Sequence, residues 1–542
     1  MSKFSLIPSP ARSRLVAVLA LSSPLAAPLS YALTVNIPVT APSNASTVTG
    51  SLFSLSIEQD RWLDWAQASN SSIRNEFFFN TLDNLIQITG EGPQIRIGAD
   101  SEDHTDFNED IEGAELVFPD PTTTVPYPEA TTIVVGDEYY EAVRFLPSGT
   151  HVIWGVNFGT DNLTAAVLEA QAIKRAFDSD AVKDAGVVLD FVEIGNEADL
   201  YGGNGHREKG FNISEYVQQW TDFAQNVSVA AGINSTSDVK FWGGAFAESS
   251  HSGSGFSPQG MFSNGILNSS EGKLIRTVSQ HHYSGSFCSG DGGLLQDLMT
   301  KSTIRSNLTM FLPDISAVRS QGLDYVLGET NSYACHGAPG VSNVAGAALW
   351  ALDYALFAKS GLGATRVFFH EGVGYKYNLI QPITLTRSTI DASDLPEPLP
   401  PHVQPPYYAA IIAAEATGNT GDAQVVELNV DNERVAGYGF FVGGTIVRAV
   451  FINSEAFLST EEGERGSVHV DLEFGGEEPG PTSMDIKRLT IGHADDVSGL
   501  TWGGVSFETE DARPSGEQMV ETVDVSSGFD IVDTEVVLLS FQ

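Results

Sequence analysis

The sequence predicts an α/β fold, a (β/α)8 TIM barrel with a C-terminal all-β sandwich domain. Three observations carry this. Eight short apolar runs each end in polar residues. Stretches with apolar residues at helical spacing lie between them. From about Gly418 onward, short alternating or apolar segments separated by Gly, Asn and Asp take over, and no long helical pattern follows. Strands alternating with helices indicate a parallel barrel, and closely spaced short strands indicate a sandwich.

In chain order, the eight candidate strands are Leu52–Glu58, Gln94–Asp100, His151–Gly159, Asp190–Glu197, Val239–Phe246, Val278–Tyr283, Asp324–Glu329 and Arg366–His370. Thr164–Phe177, Ser214–Ala231 and Asn343–Ala358 read as helices between them. A loop excursion from about Asp100 to Ser148, with Pro119, Pro121, Pro126 and Pro128, separates strands two and three. A second proline-rich stretch, Pro396–Pro406, follows strand eight. The expected domains are therefore a barrel over 51–410 and a sandwich over 418–542. Leu33–Val39 reads as a further strand, and segment 33–48 is expected to join the sandwich, adding an edge to it.

The first 32 residues read as a signal peptide. Lys3, Arg12 and Arg14 precede the apolar run Leu15–Leu21, and Ser30-Tyr31-Ala32 offers a small-residue cleavage site. The run is too short to span a bilayer, so the mature chain is expected to begin near Leu33 in the secreted, extracellular compartment. Eight N-glycosylation sequons point the same way: Asn44, Asn70, Asn162, Asn212, Asn226, Asn234, Asn268 and Asn307. The two cysteines, Cys288 and Cys335, either pair in that oxidising compartment or stay as buried thiols. They do not suffice for a zinc site, and His281-His282 lacks a matching ligand cluster, so neither metal nor cofactor is expected. The net charge of −41, nearer −44 without the signal, repels nucleic acid, anionic membranes and long polyanions. It suits an acidic medium, with an activity optimum expected below neutrality.

Asn-Glu occurs at Asn75, Asn108, Asn196 and Asn432, but only Asn196-Glu197 closes a buried-strand pattern. Glu329 closes strand seven in the same way. The C-terminal ends of barrel strands are where active sites form, and a carboxylate ending an apolar strand is costly unless it faces a polar cleft. Two such carboxyls suit cleavage of a glycosidic bond. One protonates the leaving oxygen, the other attacks the anomeric carbon, and retention of configuration places them about 5–5.5 Å apart. Glu197 is the candidate acid/base, Glu329 the candidate nucleophile, and Asn196 the partner of the sugar 2-hydroxyl. Taken singly, Glu197 has a lesser alternative as a solvated loop carboxylate and Glu329 as a capping or salt-bridged one; the two together are more specific than either.

Several stretches make the chain resemble glycoside hydrolase family 79, the β-glucuronidase and heparanase-like family. They are Phe53–Glu58, Ile95–Gly98, Ile194–Glu197, Gly328–Ser332 with His336–Ser342, Ala347–Tyr354 and Phe369–Gly372. The resemblance implies removal of a terminal β-linked glucuronic acid, with or without a 4-O-methyl group. It places Glu58 and Tyr283 on the sugar. It places the uronate carboxylate on Tyr333, His336 and Gly337 of the loop after the nucleophile and on Tyr377, chosen over Tyr375. Lys376 reads as a solvated cation more readily than as a ligand. Arg96 would orient Glu329 or form a structural ion pair. Asp100, Asp103 and His104 line the cleft or a plain loop. Trp154 and Trp242 read as core. A Cys288–Cys335 disulfide would pin two active-site loops together.

The expected substrate is a largely neutral glycan ending in glucuronic acid, such as an arabinogalactan side chain. The alternatives are a β-glucosidase or β-xylosidase of the same clan, and a barrel that binds glycans without cleaving them. An endo-acting heparanase would need a basic groove that 28 Lys and Arg against 69 Asp and Glu do not supply.

Overall fold

A computed structural model describes residues 32–68 and 72–542. The signal segment and Asn70 lie outside the described residues. Phe53–Glu58, Ile95–Gly98, His151–Val156, Val188–Ile194, Lys240–Phe246, Ile275–Ser286, Asp324–Ala334 and Val367–Glu371 close into one parallel barrel in sequence order. Each corresponds to one of the eight apolar runs. Strand six and strand seven run beyond the mouth and stay paired as far as Ser286 and Ala334. Ile153, Trp242, Val326 and Phe368, with Phe191, fill part of the barrel interior. Trp154 faces the other way, against Trp62, Tyr139 and Tyr140.

The helices that surround the barrel start and stop where their end residues dictate. Asn162 caps Leu163–Asp178 by accepting from the Thr164 and Ala165 N–H groups. Ile213–Ala231 opens with a capping box formed by Asn212 and Glu215, and ends at Gly232 with φ 72°. Ala345–Phe357 is buried on every side, which accounts for its almost uniformly apolar sequence. The last barrel helix, Tyr407–Thr417, continues past residue 410, where the barrel was expected to end, and stops at Gly418 with φ 71°.

The excursion after strand two is more than a loop. Thr105–Phe107, Ala114–Val117 and Thr132–Val135 form a three-stranded sheet, followed by the helix Asp137–Glu141. Its strands are three or four residues long, too short to give a readable alternation among the prolines. The second proline-rich stretch contributes Asp394–Leu399, paired with Leu385–Arg387.

The C-terminal domain is two facing sheets. The larger runs Ser46–Thr47, Gln424–Glu427, Val435–Val442, Thr445–Asn453, Glu535–Phe541, Ser483–Thr490 and Thr501–Trp502. The smaller is Ala32–Pro38, Ser467–Gly475 and Phe529–Val532, with the first two parallel. Val35, Ile37, Phe451, Val470, Ile531 and Leu539 lie in the core between them. An ionic knot ties this domain to the barrel. Arg305 meets Asp353 at 2.5 Å and Glu427 at 2.7 Å, and the Tyr438 hydroxyl donates to Asp353 at 2.5 Å.

Among the described sequons, Asn44, Asn162, Asn212, Asn226, Asn234 and Asn268 are exposed and Asn307 is half-buried. No helix among the described residues is long and apolar enough to cross a membrane.

Candidate active site

Strand four delivers Glu197 on a sharply turned backbone. Gly195 has φ 77° and Glu197 itself sits in the left-handed region, φ 50° and ψ 45°. A non-glycine residue there costs of order 1–3 kcal/mol and persists only where its surroundings fix it. The fixing contact is the Glu197 N–H, which donates to the Ala245 carbonyl of strand five at 2.8 Å. Strand seven carries Glu329 opposite His281 of strand six, just past a shift in register between Gln280 and His281. A carboxylate oxygen of each Glu and the ring nitrogen of His281 lie within 4.8 Å of one another. The Glu197 side chain is 22% exposed and Glu329 only 7%, so the former faces the cleft.

The surroundings split the two carboxyls. Burial and the neighbouring Glu329 push Glu197 up to about 8. Burial opposes ionisation of Glu329 too, but cations and the hydrogen bond from Tyr283 outweigh it and hold it down to about 2. Arg96 Nη1 lies 2.8 Å from Glu329 Oε2, and the Tyr283 hydroxyl donates to Oε1 at 2.8 Å. His370 lies 3.8 Å away; burial disfavours its charge, but Glu329 and Glu58 raise it to about 9. His281, 2.9 Å from Glu197, is pushed down to about 4 by burial and adds charge only below that pH. At neutral pH, His370 and Arg96 are therefore the cations that face Glu329. A proton-holding acid beside an ionised carboxylate is the division of labour that glycoside cleavage requires. The profile of kcat/KM against pH is expected to fall on the alkaline side near pH 8, where the pair loses its shared proton, with its optimum on the acid side of neutrality. Rates that go on rising above pH 8 would show that another group supplies the acid.

The structure gathers most of the expected binding residues around this pair. Glu58 accepts from the Ser101 N–H and hydroxyl and lies 3.3 Å from His370. Asn196 accepts from Arg96 Nη2 at 2.8 Å, which fixes its amide with the oxygen inward. Tyr377 packs 6.1 Å from Tyr283, ring to ring. His336 stacks on Tyr375 at 3.6 Å and meets Glu129 at 2.6 Å. Cys335, His336 and Gly337 are three successive residues with positive φ. This turn is held by the Cys288–Cys335 disulfide, by His336–Glu129, and by the Lys376 N–H, which donates to the His336 carbonyl at 2.8 Å.

Some expectations need correction. The Gly337 N–H, offered as a carboxylate ligand, donates to the Tyr333 carbonyl at 3.0 Å. Tyr333 packs against Gly285 and Gly293. Lys376 is not solvated: it is fully buried, with Nζ near the Thr124 carbonyl and the Phe287 ring. Asp103 is a support rather than a lining residue; it accepts from the Tyr201 hydroxyl and from the Gly159 and Asn196 N–H groups. His104 holds the excursion through the Ala130 carbonyl. Glu129 was missed, because nothing local in its proline-rich segment marks it. His281, expected to lack a matching ligand cluster, does have one: among the described residues, Glu197, His281 and Glu329 carry donor atoms whose spacing would admit a metal ion. The Arg96 guanidinium already neutralises Glu329 there, and cleavage by two carboxyls needs no metal.

The C-terminal domain matches the family model described as the glycosyl hydrolase family 79 C-terminal beta domain over residues 437–538. Two relatives named beta-glucuronidase align over most of the chain. The one from Neurospora crassa is 28% identical over 525 residues, covering 89% of each chain. The one from Aspergillus niger is 27% identical over 491 residues, covering 86% of each. Among solved structures, the 4-O-alpha-L-rhamnosyl-beta-D-glucuronidase from Fusarium oxysporum superimposes with a TM-score of 0.76 at 22% identity, covering 94% of this chain and 100% of that one. A GH51 arabinofuranosidase from Xanthomonas axonopodis pv. citri gives 0.58 at 14% identity, covering 94% and 100%. At these identities the structural likeness shows the fold.

Proposed function

We propose that the chain belongs to glycoside hydrolase family 79 and is a secreted, retaining exo-β-glucuronidase. Its substrate is a terminal β-linked glucuronic acid, plain or 4-O-methylated, on a largely neutral glycan such as an arabinogalactan side chain. The observation that carries the reading is the pair Glu197 and Glu329. Their oxygens lie within 4.8 Å, and their proton affinities are driven apart. In the first step Glu329 attacks the anomeric carbon while Glu197 protonates the departing oxygen. In the second, Glu197 takes a proton from water, which displaces Glu329 from the same carbon and restores the original configuration.

Asn196 takes the 2-hydroxyl and Glu58 a further hydroxyl. The uronate carboxylate goes to the wall made by His336, Tyr375 and Tyr377. The exo reading is supported by the excursion after strand two, which reaches the site through Glu129 on His336 and Thr124 on Lys376. The seven described sequons, all exposed or half-buried, support a secretory route.

The test is a panel of p-nitrophenyl β-glycosides with wild type beside Tyr377→Phe. Wild type is expected to cleave the glucuronide and leave the glucoside and xyloside intact. Loss of a hydroxyl that donates to a charged group removes about 1.5–3 kcal/mol, so Tyr377→Phe is expected to lose about tenfold to a hundredfold in kcat/KM on the glucuronide. Cleavage of the glucoside or xyloside instead would reject the uronate assignment and leave the carboxyl pair standing. A wild type that binds glycans and cleaves none would reject the enzyme.

A further inference from the structure

Hydrolysis by Glu197 and Glu329 does not by itself account for a charged layer inside the barrel beside them. Arg96, fully buried, sits among three carboxyls: Glu193 of strand four, Glu329 of strand seven and Glu102 of the turn after strand two. Its Nε donates to Glu193 Oε2 at 2.6 Å and its Nη1 to Glu329 Oε2 at 2.8 Å and to the Ser56 hydroxyl at 2.9 Å. Its Nη2 donates to Asn196 at 2.8 Å. Glu102 Oε2 is 3.6 Å from Nη2. One cation cannot hold three desolvated anions, so one carboxyl keeps its proton.

Geometry selects which one. Glu193 and Glu329 take short, charge-assisted hydrogen bonds. Among the described residues neither oxygen of Glu102 has a hydrogen-bond donor. The space it occupies is shaped for it: a Cβ at Gly98 or Gly155 would lie 2.4 or 1.8 Å from Glu102 Oε2. Burial first, then Glu193, drive the Glu102 carboxyl well up. The other groups that face this layer include Asp103, Glu169 on the Leu163–Asp178 helix, His281, His370, Glu58, Glu197 and Asp199, with the hydroxyls of Tyr201, Tyr216 and Tyr283.

We infer that Glu193 is a positioning residue whose charge, relayed by Arg96, keeps the catalytic pair in its one-proton state, while Glu102 on the same guanidinium is carried as a neutral acid. The inference rests on Glu197 and Glu329 being that pair. Glu193 fixes the plane of the guanidinium, so that one terminal nitrogen addresses the nucleophile and the other addresses Asn196. It also cancels part of the Arg96 charge that would otherwise pull the proton from Glu197.

Three variants separate charge from shape, each assayed over pH on the aryl β-glycoside that wild type cleaves best, with folding checked by melting. Glu193→Gln leaves Arg96 less neutralised, so Glu197 loses its proton more readily; the alkaline limb of kcat/KM is expected to move about one unit lower. Glu193→Asp keeps the charge and shortens the reach. It is expected to leave the limb in place and to cut kcat by about tenfold or more with KM little changed, because a displacement of ~1 Å at the nucleophile is enough. Glu102→Gln replaces a neutral acid by a neutral amide and is expected to leave the limb where it is. A folded Glu193→Gln with the wild-type limb overturns the proposal, as does a Glu102→Gln limb displaced like that of Glu193→Gln. Should Glu193→Gln fail to fold, a Glu193→Asp enzyme with wild-type kcat overturns it. A wild type silent on every glycoside would instead sink the catalytic reading beneath it.

Discussion

Glu329→Gln is expected to abolish measurable turnover on every glycoside, and Glu197→Ala to spare only substrates with an excellent leaving group. The two losses differ because the two carboxyls act at different moments. Without Glu329 no glycosyl-enzyme bond can form, whatever the leaving group. Without Glu197 the bond can still form if the departing oxygen needs no proton, as with nitrophenolate. The missing general catalysis is then worth about 10²- to 10⁴-fold, felt most on natural alcohol leaving groups. The trapped glycosyl enzyme waits for a nucleophile that needs no base. Azide added to Glu197→Ala should therefore restore turnover of an activated substrate and yield a glycosyl azide of retained configuration. Azide should not restore that product with Glu329→Gln. Product of inverted configuration from wild type would reject the double displacement, and an azide-insensitive Glu197→Ala would return that residue to the role of a cleft-lining carboxylate.

Arg305→Ala is expected to produce the largest loss of stability among surface-to-domain contacts. Asp353 is 2% exposed and receives Arg305 through both its oxygens. Removing the guanidinium leaves a buried carboxylate beside Glu427 without its cation, a change that costs about 3–5 kcal/mol. Thermal melting should fall by several degrees, and the β-domain should loosen from the barrel, because Arg305 is the cation shared by Asp353 of the barrel and Glu427 of the sandwich. Arg305→Lys keeps the charge but not the two-pronged geometry and should fall between. A melting curve identical to wild type would mean that the knot is energetically idle.

The barrel was legible because its strands are buried on both faces and therefore read as continuous apolar runs, and because Glu58 closes one of them, Glu197 follows another and Glu329 ends the apolar part of a strand that continues to Ala334. Contacts made across the barrel were not legible. His281 and His370 carry ordinary strand surroundings in the sequence, and only closure of the barrel sets them against Glu197 and Glu329. Glu129 lies 207 residues from His336, in a segment whose prolines announce a loop and nothing about its destination. Lys376 misled because lysines are almost never fully buried, whereas here two loops close over its side chain. The loop after the nucleophile was assigned by resemblance, and a main-chain hydrogen bond inside its turn removes Gly337 from the expected set of ligands.

The pairing of Ala32–Pro38 with Ser467–Gly475 has a consequence for biogenesis. Ala32–Pro38 leaves the ribosome before the barrel, and its neighbour Ser467–Gly475 after it, with the whole barrel synthesised between them. At about 5–20 residues per second, Val35 and Ile37 wait on the order of tens of seconds before the sheet that buries them exists. The barrel is free to close in that interval, but the sandwich is not. The later-translated domain thus completes the earlier segment, and a ribosome that stalls before Ser467–Gly475 leaves Ala32–Pro38 with an open apolar face.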